Sequence, residues 1–210
     1  MDTDSQSAND SEMNYDMVDN SIDLKATIEE NPKFDALRKL YNEISNETKE
    51  HRIQKLIEKC GMTGKKEEIY RIVNEHQRKN HDCWKEARQC MELVNERSAK
   101  SNKKYSNVVI SFDGIRKGAA QLLLTGISSE VPIENIYSTD SIVERIRERF
   151  GGSCVLIFIS SNNFISKKLN IPVWHVNKID SLQNLYKVQR EFLLREKGDF
   201  INSLFSFLNA

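Results

Sequence analysis

Val155-Leu156-Ile157-Phe158-Ile159-Ser160 is the stretch whose reading decides the fold. Five apolar residues stand in a row, three of them β-branched and one aromatic. A surface helix would space its apolar positions by three and four, and a half-wet strand would alternate them. A continuous run suits a strand covered on both faces, as strands of a parallel sheet are. Moving outward, the same grammar recurs. Asn107 to Ser111 is a second β-branched run, Ile133 to Tyr137 reads as a strand, and so does Pro172 to Val176. Helical segments lie between them. Ile115 to Leu124 ends at Gly126, a good C-cap. Ile142 to Phe150 is stopped by Gly151-Gly152, and Ser161 to Leu169 reads as a short helix. Ser181 to Glu196 carries Leu182, Leu185, Val188 and Phe192 on one face. Strands alternating with helices predict an α/β fold with a parallel sheet of about four strands.

Upstream, from Pro32 to Lys104, the pattern is helical. Leu37, Leu40, Tyr41 and Ile44 form one stripe; Ile53, Leu56, Ile57 and Cys60 form another, followed by Gly61 as a stop. Ile69, Ile72, Val73 and His76 continue it, and Trp84, Ala87, Met91 and Val94 line a further edge. Three or four helices in a small bundle follow, with Tyr41 and Trp84 as core anchors. The first 24 residues hold seven acids and no Lys or Arg. Such a segment cannot offset its ordering entropy and reads as a disordered acidic tail. The organisation expected is a tail over 1–30, a helical bundle over 31–105 and an α/β part over 106–210.

Composition sets limits on function. Lys plus Arg and Asp plus Glu are both 31 of 210 residues, so the net charge is zero. That argues against a coat for nucleic acid or for an anionic membrane. Three Pro and eight Gly exclude a collagen-like or turn-dense all-β chain. No secretory leader and no apolar run of 18 residues occur, which predicts a soluble intracellular protein. Cys60, Cys83, Cys90 and Cys154 form no C-x-x-C pair, so reduced, mostly buried thiols are expected rather than zinc. His76 and His81, five apart, fall on different faces of a helix.

In parallel α/β folds chemistry gathers at the carboxyl ends of the strands. Those ends read Ser111-Phe112-Asp113-Gly114, Tyr137-Ser138-Thr139-Asp140, Ser160-Ser161-Asn162-Asn163 and His175-Val176-Asn177-Lys178. No phosphate loop, dinucleotide fingerprint or nucleophile elbow is present. Asp113, Asp140 and Ser160-Ser161 are expected to cap helices. His175, beside Trp174 and without a carboxylate partner in sequence, is expected to be packed.

Pro132-Ile133-Glu134-Asn135-Ile136-Tyr137-Ser138 is a specific string, followed by Glu144-Arg145-Ile146, Arg149-Phe150-Gly151, Lys167-Lys168 and Pro172-Val173-Trp174. In order and spacing these resemble the C-terminal domain of the Eyes absent family. Trp84 to Arg97 resembles that family's last cap helix. The resemblance runs from about Phe34 to Leu194 and is strong after Asn107. It implies a haloacid dehalogenase-like (HAD-like), Rossmann-type fold and Mg²⁺-dependent tyrosine phosphatase chemistry. It also implies a coactivator role beside Six-type homeodomain proteins, in nucleus and cytoplasm, without direct nucleic-acid or membrane binding. That chemistry uses an aspartyl nucleophile on a D-x-D-x-T strand, a phosphate-binding Ser or Thr, a Lys and metal-holding acids. Ser111 matches the phosphate-binding position. The D-x-D-x-T strand is missing, the chain starting inside what matches the cap insertion. The Lys after Ser138 is missing too. Ser160, Ser161, Asn162 and Asn163 stand where the family carries its metal acids. A degenerate pseudophosphatase with no cofactor is therefore expected; the alternative is a Mg²⁺-dependent phosphatase whose catalytic strand lies outside this chain. The partner contact is expected as a helix-in-groove surface near Pro172 to Trp174.

The family's core has strand order 5-4-1-2-3, with the D-x-D-x-T strand at the centre. Without that strand, Val155 to Ser160 is expected to close onto Asn107 to Ser111 in the order 5-4-2-3. Closure would place Ser111 beside Ser160 and erase the phosphate pocket.

Overall fold

The structure is a computed structural model and describes residues 32–138, 142–161 and 171–194. The chain divides into two units, Met1–Asp35 and Ala36–Ala210, and all packing described below lies in the second. The expected tail, Asp140, most of the 161–169 segment and the Phe192 side chain lie outside the described residues.

Three helices come first: α1 (Pro32–Ile44), α2 (Lys49–Lys59) and α3 (Lys66–Lys100). Thr48 caps α2, its Oγ1 accepting from the His51 N–H at 3.4 Å. Gly61, at φ 66°, follows the end of α2 in the left-handed conformation that a side chain resists. The two stripes read over 69–76 and 84–94 belong to one 35-residue helix, because nothing between them breaks it. Tyr41 is 1% exposed, and its hydroxyl donates to the Val131 carbonyl at 2.9 Å. Burial, with the Glu134 charge adding to it, raises the pKa of that hydroxyl. Trp84 is only half-buried and stacks on His76 at 5.2 Å, so it is an edge residue rather than a core anchor.

The α/β part contains β1 (Val109–Ser111), α4 (Ile115–Thr125), β2 (Ile136–Ser138), α5 (Ile142–Phe150), β3 (Phe158–Ser160), β4 (Val173–His175) and α6 (Ile179–Leu194). The helix over 142–150 matches its sequence reading residue for residue. Strands are shorter than read. Ile133–Asn135 is a 3₁₀ turn, and pairing starts only at Ile136. Pro132 sets that turn up and cannot donate to a ladder.

Sheet topology corrects the expectation of one four-stranded sheet. β1 pairs in parallel with β2, and β3 pairs in parallel with β4, as two separate two-stranded sheets. β3 does not close onto β1. Between them lies a cavity of about 1060 Å³, lined by Val108, Ile110, Leu156, Phe158, Leu185 and residues of α3 and α5. Closure would have required α3 and α6, packed on each other, to collapse into the gap with their side chains. Cys90 Sγ to the Leu182 carbonyl at 3.5 Å ties these two helices together instead.

The tight part of the molecule surrounds β1, α4 and β2. Ala119, Val131 and Ile133 are fully buried there. Gly118 makes the crossing of α4 over β1 possible: an added Cβ would lie 2.7 Å from Ser111 Cβ and 3.2 Å from Ile136 Cγ2. Polar side chains seal the strand's N-terminal end. Asn135 Nδ2 donates to Ser106 Oγ and to the Asn107 carbonyl, both at 2.8 Å. Asn107 Nδ2 donates to the Met91 carbonyl at 2.9 Å and to Asn95 Oδ1 at 3.0 Å. Asn95 donates in turn to Glu130 Oε2 at 3.1 Å. The bond to the Asn107 carbonyl satisfies a loop backbone group that no ladder reaches.

Candidate functional site

The strand ends come together in two pairs. Ser111, at the end of β1, sits in register with Ser138 at the end of β2. Ser160, at the end of β3, sits in register with His175 at the end of β4. Ser111 therefore stands beside Ser138 and not beside Ser160, which overturns the juxtaposition expected from closure. Thr139, Asp140, Asn162 and Asn163 lie outside the described residues.

Ser111 is 6% exposed and is pressed by α4 at Gly118. Its carbonyl accepts from the Gly114 N–H at 3.4 Å, folding the strand end into a turn. Asp113 does not cap α4. The N-cap is Gly114 at φ 85°, with no side-chain hydrogen bond to the first turn. Asp113 instead pairs with Lys117 one turn on at 3.7 Å, both of them exposed. Exposed pairs of this kind contribute little to stability. Ser161 is exposed in a bend. His175 is half-buried and its Nδ1 has no hydrogen-bond partner among the described residues. Trp174 beside it donates from Nε1 to the Ser181 carbonyl at 2.9 Å, anchoring β4 to α6.

A hard divalent cation takes several oxygen ligands, carboxylates foremost. Ser160 and Ser161 are neutral, and the partner strand offers an imidazole at His175. Among the described residues no group of three or more His, Cys, Asp or Glu side chains is placed to hold a metal ion. Among the described residues, the donors at the ends of β3 and β4 do not fit the Mg²⁺ that the family resemblance implies. No described helix is long and apolar enough to cross a membrane.

The thiols depart from the expectation that most are buried. Cys60 and Cys83 are exposed, Cys154 is half-buried and Cys90 alone is buried. Burial pushes the Cys90 thiol up to about 12, with the Glu86 charge adding to the shift.

Sequence reading missed three positions that shape the site. Gly118 sets the distance between α4 and Ser111. Arg52, 9% exposed, donates from Nε to the Leu123 carbonyl at 3.0 Å and satisfies the end of α4 from another helix. Its guanidinium pKa is lowered by that burial first and by the Arg88 charge second. Gln189 is 6% exposed on the apolar face of α6, and its Oε1 has no hydrogen-bond partner among the described residues. Its signal in sequence was a polar residue four after Leu185, inside the stripe.

No protein-family model matches the chain. Individual proteins do match. Protein phosphatase eya-1 of Caenorhabditis elegans is 36% identical over 195 residues, covering 84% of this chain and 39% of that protein. Protein phosphatase EYA2 of Homo sapiens is 33% identical over 41% of this chain and 18% of its own length. Protein phosphatase EYA3 of Mus musculus is 31% identical over 44% of this chain and 20% of its own length. The chain thus spans about two fifths or less of these relatives. Within that span it is a homologue of the Eyes absent protein phosphatases.

Proposed function

We propose that this chain is a non-catalytic, Eyes absent-related protein-interaction module that serves as a transcriptional coactivator. One observation carries the reading: Ser160-Ser161-Asn162-Asn163, neutral throughout, stands where the family resemblance implies metal-holding acids. Replacing a carboxylate by a hydroxyl or amide removes a hard anionic ligand and its charge together, which a Mg²⁺ site does not tolerate. Ser111 keeps a hydroxyl at the implied phosphate position. That hydroxyl is packed under α4, and a phosphate binder without metal ligands leaves the charge of the transferred group uncompensated. Partners of the Six-type homeodomain class fit the reading, with the half-buried Pro172, Val173 and Trp174 and the neighbouring helices as the contact surface. Nucleus and cytoplasm are the compartments that go with it.

The test is hydrolysis of a phosphotyrosine analogue by the purified chain with Mg²⁺. The expected rate equals that of buffer. Turnover that requires Mg²⁺ and disappears in Ser111→Ala would establish the opposite, an active phosphatase. Pull-down against a Six-type homeodomain protein checks the partner; no capture at micromolar concentration removes it.

A further inference from the structure

A second cavity, of about 250 Å³, lies where the end of α1 meets the turn that leads into β2. Tyr41, Asn42, Ser45 and Asn46 line one side of it, and Ser128 and Ser129 line the other. Its hydroxyls share one property. Tyr41 donates to the Val131 carbonyl at 2.9 Å, with the Ser128 carbonyl next at 3.2 Å. Ser45 donates to the Tyr41 carbonyl, and Ser128 donates to the Ser45 carbonyl at 3.2 Å. Ser129 donates to Glu130 Oε1 at 2.7 Å. Carbonyls and ionised carboxylates accept and never donate, so the direction of each bond is fixed. A hydroxyl has one proton and two lone pairs. These four side chains have each committed the proton to the protein and keep only lone pairs for an occupant.

The backbone adds to this. The last turn of α1 holds no basic side chain. Its Asn42 carbonyl accepts no hydrogen bond among the described residues. Carbonyls at a helix end together carry about half a negative charge. The Asn42 and Asn46 side-chain amides can turn an oxygen inward as well. No Lys or Arg lines the cavity, and no Asp or Glu does.

Such a lining selects its occupant. Lone pairs repel an anion. A hard divalent ion draws on carboxylates, which are missing from the lining. A monovalent ion of low charge density is held by neutral oxygens alone, as rings of carbonyls hold K⁺. One water takes about 30 Å³ in the liquid, so the cavity has room for an ion with several waters.

We infer that this cleft binds a monovalent alkali cation, K⁺ or Na⁺, through the Tyr41, Ser45, Ser128 and Ser129 hydroxyl oxygens and the Asn42 carbonyl, with part of its water shell retained. The ion ties the end of α1 to the turn before β2. The inference does not depend on whether the chain hydrolyses phosphate.

The test is urea unfolding of the full chain in KCl, NaCl and tetramethylammonium chloride at one ionic strength. Tetramethylammonium carries the same charge but offers oxygen ligands no bare ion. An ion that binds only the folded chain lowers the unfolding constant by the factor 1 + [ion]/Kd. K⁺ or Na⁺ should lower it about tenfold at ten times Kd, saturating at millimolar concentrations, and tetramethylammonium should not. Ser45→Ala and Ser128→Ala each delete one oxygen and should weaken binding about tenfold. Asn46→Asp sets a charge at the rim and should tighten binding about fivefold, the effect of one charge about 4 Å away in water. If the alanine variants unfold, sodium NMR line broadening by the unmodified chain and by Asn46→Asp, reversed by K⁺, measures the same difference. Equal unfolding in all three salts would mean screening alone and overturn the proposal. Saturation that all three variants leave unchanged would place the ion elsewhere and overturn it too. Either order of K⁺ and Na⁺ upholds the site and names its ion.

Discussion

The two parallel strand pairs differ in the opposite sense to their composition. β3 belongs to the most apolar run in the chain, yet Val155 is 53% and Ile159 45% exposed. β1 and β2 are embedded in a stretch rich in Asn, Ser and Glu, yet Val131 and Ile133 are fully buried. Apolar content supplies the tendency to be covered; it does not supply the cover. Around β1 and β2 the cover is α4, admitted by Gly118, together with the Asn95, Asn107 and Asn135 bonds. β3 has the side chains for burial and a neighbour on one edge only among the described residues.

The largest contrast should appear on truncating a sealed residue. Ile133→Ala is expected to cost about 2–5 kcal/mol in urea unfolding, because it empties a site with no solvent access. A cost under about 1 kcal/mol would mean that the first pair is as loose as the second. Gly118→Ala comes next, at about 1–3 kcal/mol, since its Cβ collides with Ser111. Adding Ser111→Gly should recover part of that loss, and strict additivity would show that the contact is not the cause. Asn135→Ala should cost about 1–3 kcal/mol by leaving the Asn107 carbonyl and Ser106 without their donor.

The comparison is sharpened by pH. Cys90 carries a thiol raised from 9.0 to about 12 in the folded chain. Above pH 9 the unfolded chain gives up this proton while the folded chain holds it. Stability from Cys90 is therefore full below pH 9 and lost as pH climbs toward 12. Unfolding midpoints between pH 8 and about 10.5 should fall, and should fall less in Cys90→Ala. Thiol alkylation at pH 8 should label Cys60 and Cys83 first and Cys90 last. The smallest effect is expected at the exposed edge: Ile159→Ala should stay within about 0.5 kcal/mol of the parent, and a larger loss would place Ile159 in a core.

Helices were legible because their apolar positions recur with a period that local sequence displays. α5 and the stops at Gly61 and Gly126 are read directly, and Tyr41 is identified as a core anchor. The continuity of α3 was less legible, since two stripes on one helix look like two helices when the residues between them are polar. Asp113 misled because a carboxylate before a helix usually caps it, whereas Gly114 turns the chain at positive φ and takes that place. The Asn95–Asn107–Asn135 bonds leave no periodic trace, because their partners are far away in sequence. The sheet was misjudged for a related reason. Unpaired strand edges favour closure, whereas the packing of α3 on α6 joins residues far apart in sequence.

Helix α3 runs for 35 residues, about 52 Å at 1.5 Å per residue. Its early turns hold α2 and α4 through Val73 and Gln77, and its late turns carry Cys90 against α6. Seventeen residues separate Val73 from Cys90, a lever arm of about 26 Å. A tilt of one degree about Val73 therefore displaces the Cys90 wall of the cavity by about 0.5 Å, since a straight helix moves as a rod. The width of the gap between the two sheets is thus sensitive to how α3 seats on α2 and on the end of α4.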